Sequence, residues 1–129
     1  MLPPFDQEYL EERYPAASVQ SEKGMLCVIV PGLVLPAGFT VQESDLLLRL
    51  AQGYPDVAPD MWWFSPAIVR RDGAAIAQTQ VTETHLGRQW QRWSRHFQPG
   101  QWRPGIDCLE SYLALIGGEL QLAAKGLAA

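Results

Sequence analysis

Ser94 and His96 stand two positions apart within Thr84-His-Leu-Gly-Arg-Gln-Trp-Gln-Arg-Trp-Ser-Arg-His-Phe97. A serine hydroxyl is a weak nucleophile at neutral pH and gains power when a positioned base accepts its proton. His96 is the nearest base in sequence. An i, i+2 pair meets in an extended segment or a turn, not on a regular helix. The same stretch holds His85, Arg88, Arg92 and Arg95, and no acid occurs between Glu83 and Asp107. Guanidinium groups beside a reacting hydroxyl can stabilise developing negative charge. The candidate catalytic residues are therefore Ser94, His96, His85 and Arg95, and the chemistry is acyl transfer through an activated hydroxyl. Two blander readings use the same residues. Trp90 and Trp93 can anchor the segment in the core while the arginines stay solvated, or the segment can offer a basic, aromatic surface to a protein partner. Stacking on single-stranded nucleic acid fits poorly, because one short segment carries all of it.

Other chemistries find little support. Cys27 and Cys108 lie 81 positions apart and the two histidines 11 apart, which is not the spacing of a zinc module. Cys27 falls in a β-rich apolar run and Cys108 inside the expected final helix, so both read as structural thiols. No glycine-rich phosphate loop is present, and no cofactor is implied. Fourteen acids against ten bases give a formal charge of −4, which argues against nucleic acid and anionic membranes as partners. The most apolar run, Met25 to Pro36, is 12 residues long and broken by Pro31 and Gly32, too short to span a bilayer. Met1-Leu-Pro-Pro-Phe-Asp lacks a basic region and an apolar signal core, so the expected location is cytoplasmic.

The elements that must position these residues follow from periodicity. A chain of 129 residues, 47% hydrophobic, suits one domain with its own core. Five Trp, four Tyr and four Phe exclude a solvated coil. Residues 5 to 14 predict a short helix with Phe5, Tyr9 and Leu10 on one face, Asp6 as its cap and Pro15 as its stop. Extended segments follow at 17 to 22, 25 to 30, 44 to 50 and 61 to 64, punctuated by Pro31-Gly32, Pro36-Ala-Gly38, Gly53-Tyr-Pro55 and Ser65-Pro66. With no helix between them, they predict an antiparallel meander. Residues 70 to 104 read as irregular. After Pro104-Gly105, Ile106, Leu109, Leu113, Ile116 and Leu120 form one apolar stripe and predict a helix from 106 to about 122. Asp107 near its start and Lys125 near its end suit the macrodipole. The expected class is α+β: helix, four-stranded antiparallel meander, long loop, helix.

The order of these parts resembles the ubiquitin-conjugating (UBC, E2-type) fold. Ser44-Asp-Leu-Leu-Leu-Arg-Leu-Ala-Gln-Gly-Tyr-Pro-Asp-Val-Ala-Pro59 is similar to that family's third strand and Tyr-Pro-x-x-x-Pro turn. Met61-Trp-Trp-Phe-Ser-Pro-Ala-Ile68 falls where the family carries His-Pro-Asn, and Trp102-Arg-Pro-Gly-Ile106 resembles its Trp-Ser-Pro motif. The resemblance runs from about residue 5 to 122, best suits the divergent prokaryotic E2 family E, and implies one UBC-like domain over residues 1–129.

The departures bear on function. The family's cysteine, which carries the C-terminus of a ubiquitin-like protein as a thioester, would fall near Ile76 counting from Gly73, or at Ser94 counting back eight from Trp102. Neither is cysteine. The two counts differ by about 18 residues, which implies an insertion that includes the Ser/His/Arg segment. His-Pro-Asn has become Ser65-Pro66-Ala67, without the amide that would face an oxyanion. The resemblance implies a ubiquitin-like modifier, an adenylating activating enzyme and a protein substrate as partners. Ser94 could then hold the modifier as an oxyester, with His85 or His96 less suited. A non-catalytic scaffold or modifier-binding module is the alternative.

Overall fold

The computed structural model describes residues 2–126. A first helix, α1 (Pro4–Arg13), precedes six strands and a second helix. The strands are β1 (Ser18–Glu22), β2 (Met25–Val34), β3 (Glu43–Leu50), β4 (Trp62–Ser65), β5 (Val81–His85) and β6 (Arg88–Trp93), and the helix is α2 (Leu109–Ala124). All strand pairs are antiparallel, in the order β1-β2-β3-β4-β6-β5. Among the described residues no helix is long and apolar enough to cross a membrane.

The expected four-stranded meander is therefore part of a six-stranded sheet, and residues 70 to 104 are not irregular throughout. The implied insertion folds back as the hairpin β5–β6, which adds to the sheet beside β4. Leu86 and Gly87 both have positive φ, +53° and +73°, the backbone that a two-residue hairpin turn requires. Leucine is unusual at such a position, which hides the turn from composition. The strand β2 also runs past Pro31-Gly32, where the register slips between Val30 and Leu33. Gly32 takes φ +63° there and its N–H donates to Asp45 Oδ1 at 2.8 Å, so the two residues make a bulge instead of a stop.

Alternation along the strands builds two cores. Val28, Val30, Leu46, Leu48, Trp62, Phe64 and Trp93 face α2 and pack with its Leu109, Tyr112, Leu113, Ile116 and Leu120. On the opposite face Cys27, Leu47, Trp63 and Trp90 form a smaller buried cluster. Arg49 and Arg88 lie over its indoles, with guanidinium carbons 5.9 Å from the Trp63 ring and 4.3 Å from the Trp90 ring. The sheet curls until the tips of its two outer hairpins meet: the Leu86 N–H donates to Glu22 Oε2 at 2.7 Å.

Both helices differ from their sequence readings at the N-terminus. Asp6 lies inside α1 and does not cap it, and Phe5 is exposed, because the buried side of α1 carries Asp6 and Leu10. The stripe on α2 holds from Leu109 onward, but Ile106 is 64% exposed in the turn before the helix. Cys108 is the N-cap of α2, not a residue within it: its backbone is extended, and its N–H donates to Ser111 Oγ at 2.9 Å. Leu113→Ala, at the centre of the remaining stripe, should cost roughly 2–5 kcal/mol in urea unfolding as a core truncation. A loss under about 0.5 kcal/mol, the range of ordinary surface substitutions, would remove Leu113 from the core.

Candidate functional site

Ser94 follows directly on β6, where the chain leaves the sheet and passes toward the start of α2. Its N–H donates to Gln78 O at 3.0 Å, which holds the backbone in the extended form that an i, i+2 contact needs. Ser94 Oγ and His96 Nε2 are 3.1 Å apart, and His96 Nδ1 is 2.6 Å from Asp60 Oδ1. The hydroxyl, imidazole and carboxylate thus form one hydrogen-bonded line. A carboxylate on Nδ1 fixes the ring so that Nε2 is the atom free to accept a proton from serine.

Asp60 carries no signal in the sequence. It lies 36 positions before His96, in the loop that leads into β4, and no period or motif connects the two. Its place is set by Met61, which has φ +61°. The Met61 N–H donates to Arg95 O at 3.2 Å, and Met61 O accepts from Tyr112 Oη at 2.8 Å. Burial, with a smaller contribution from Asp60, pushes the Tyr112 phenol well above its ordinary range, so it stays a donor at neutral pH.

The floor beneath this line is aromatic. Phe97 packs on Trp102 and Tyr112 at 5.5 and 5.8 Å between centroids, and Trp62 on Trp93 and Tyr112 at 6.3 and 5.9 Å. The indole N–H of Trp102 donates to Pro55 O at 2.8 Å, joining the Trp-x-Pro segment to the Tyr-Pro turn. Ser94, His96, Phe97, Gln98, Gln101 and Tyr112 are among the residues lining a cleft of about 340 Å³.

The other candidates lie elsewhere or are occupied. Arg95 has a largely buried side chain whose Nε donates to Glu119 at 2.8 Å and whose Nη1 donates to Ala77 O and Ser94 O. It braces the segment against α2. Arg88 pairs with Asp45 and Arg92 with Glu83, so the acid-free run of sequence is not a free basic surface in space. His85 is buried in the β5–β6 hairpin, with Nε2 3.1 Å from Glu83 Oε1 and its ring 5.3 Å from Trp63. It lines a separate cleft with Arg49, Trp63 and Glu83. Burial would raise the Glu83 carboxyl, but hydrogen bonds from Trp63, His85 and Arg92 outweigh it and hold the group below the usual range. Cys27 is wholly enclosed, and burial pushes its thiol up despite the nearby Arg49. Among the described residues no group of three His, Cys, Asp or Glu side chains is placed to hold a metal ion.

Trp102 joins the Trp-x-Pro segment to the Tyr-Pro turn beside this cleft, whereas Ser65-Pro66 lies at the far end of β4, where Ser65 pairs with Asp45 and its carbonyl accepts from Arg88. A family model described as prokaryotic E2 family E matches residues 2–123. The chain belongs to that family. No curated protein and no solved structure gives a significant match. Membership of prokaryotic E2 family E makes this a UBC-like protein, in which the β5–β6 hairpin lies between the segment after β4 and Ser94.

Proposed function

We propose that this UBC-like chain carries a ubiquitin-like modifier as an oxyester on Ser94, receiving it from an adenylating activating enzyme and passing it to a protein substrate. The observation that carries this reading is the 3.1 Å contact between Ser94 Oγ and His96 Nε2, eight residues before Trp102. His96 takes the hydroxyl proton as Oγ attacks the carbonyl at the modifier's C-terminus, and Asp60 holds the imidazole in register. The thiol of the activating enzyme leaves, and the serine ester remains. Arg95 acts as a brace and His85 lies outside the reaction.

The second reading, a modifier-binding scaffold without chemistry, draws on Ser65-Pro66-Ala67, which lacks the asparagine amide that the family resemblance implies there. One experiment separates the two. The protein is mixed with its activating enzyme, modifier and ATP, and any adduct is challenged. The expected adduct survives a thiol reductant, breaks in mild alkali, persists in Cys108→Ser and disappears in Ser94→Ala. A reducible adduct lost in Cys108→Ser would move the nucleophile to the helix cap. Modifier binding without any adduct would decide for the scaffold.

A further inference from the structure

We propose that Ser94, His96 and Asp60 also hydrolyse short acyl esters and thioesters unaided by any partner protein. This activity rests on the nucleophile assigned above but needs neither modifier nor activating enzyme.

The first support is how Asp60 is placed. It comes from a different segment, and its neighbour Met61 is tied on one side to Arg95 O and on the other to the Tyr112 hydroxyl. A surface carboxylate that met His96 by chance would not need a left-handed residue with both backbone groups bonded. The second support is access. The side chains of His96 and Asp60 are each 59% exposed, so water reaches the imidazole that an acyl-serine would face. An imidazole open to solvent can take a proton from a water that attacks a short acyl group on Ser94. The third is the cleft, whose aromatic wall of Phe97 and Tyr112 and volume near 340 Å³ suit a short acyl chain. Gln101 completes it. Its Oε1 accepts from the Gln98 N–H at 2.8 Å, which leaves its amide N–H₂ without a partner among the described residues and available to the carbonyl oxygen.

The reaction balances without a further reagent. Ser94 Oγ bonds to the acyl carbon, and its proton passes to His96 Nε2. The carbon–oxygen or carbon–sulfur bond breaks, and the alcohol or thiol leaves with the proton from His96. Water then attacks the acyl-serine, gives one proton to His96, and Ser94 Oγ departs and takes that proton back. The products are the free acid and the alcohol or thiol. His96 is catalytic because it moves the proton. Asp60 acts through His96 and is a positioning residue.

The test uses the purified chain with p-nitrophenyl acetate and with an acetyl thioester of a small thiol. Wild type should exceed Ser94→Ala and His96→Gln by on the order of 10²-fold, the lower end for general-base catalysis because the relay is solvated. Asp60→Asn should lower kcat roughly tenfold with KM and melting temperature unchanged, and Asp60→Glu should restore part of the rate. A fluorophosphonate should label Ser94 in wild type. Equal turnover in wild type and Ser94→Ala overturns the proposal, as does a label found on another residue. An ATP-dependent adduct on Ser94 without ester turnover would keep the carrier and remove the hydrolase. Turnover without an adduct would do the reverse.

Discussion

Asp6→Ala should destabilise the protein by roughly 3–5 kcal/mol, because a buried backbone donor and a part-buried hydroxyl lose their shared acceptor at once. Asp6 is 2% exposed. Its Oδ1 accepts from the Leu109 N–H at 3.0 Å and its Oδ2 from the Tyr54 hydroxyl at 2.7 Å. One carboxylate thus joins α1, the Tyr-Pro turn and the first residue of α2. The N-terminus of α2 carries partial positive charge, which a carboxylate complements. Burial, reinforced by the hydrogen bond to Asp6, pushes the Tyr54 phenol far above its ordinary range, so it remains a donor. Asp6→Asn keeps the shape and an acceptor and should cost much less, about 1–2 kcal/mol. Tyr54→Phe in the Asp6→Ala background should cost less than it does alone, since the hydroxyl it removes is already stranded. Urea unfolding checks all four variants. A loss within about 0.5 kcal/mol for Asp6→Ala, no more than a surface change, would dismiss the three-way junction.

Gln91→Leu should be comparably damaging, at roughly 3–5 kcal/mol, although it trades a buried polar side chain for an apolar one of similar size. Gln91 Oε1 accepts from the Ile68 N–H at 2.8 Å and from Trp93 Nε1 at 3.0 Å, while its Nε2 donates to Ile68 O at 3.0 Å. The amide copies one rung of a β-ladder and fastens the segment after β4 to β6. Leucine would strand three polar groups in the main core, and two of them belong to the backbone and cannot be mutated away. Gln91→Glu loses the donor to Ile68 O and sets a carboxyl oxygen against it, so it should be no milder at neutral pH. Because β6 leads directly to Ser94, both variants should lose adduct formation together with stability. A fully folded Gln91→Leu with unchanged unfolding midpoint would contradict this account.

Much of the scaffold is legible in the sequence because it obeys a local period. The stripe Leu109, Leu113, Ile116 and Leu120 marks α2, and the apolar runs in β2, β3 and β4 mark the middle of the sheet. The contact between Ser94 and His96 is legible for the same reason: two residues two positions apart in an extended chain share a side by backbone geometry alone. The hairpin β5–β6 is less legible, because Trp90 and Trp93 stand three positions apart and are buried on opposite faces, so β6 shows no simple alternation. It was obscured by the arginines, which read as one basic surface until Asp45, Glu83 and Glu119 are known to lie against them.

By itself the sequence determined the helical stripe, the central strands, the order of the UBC-like motifs and the pairing of a hydroxyl with an imidazole. Only the tertiary structure decided which acids meet which partners. Asp6 looks like a cap for α1 and instead accepts from the first N–H of α2, 103 positions away. Asp60 carries no signal, yet it supplies the carboxylate behind His96. Periodicity constrains neighbours within a few residues, where chain geometry sets the distance. Contacts across 36 or 103 positions depend on how the loops pack, and a lone carboxylate in a loop records nothing of that packing.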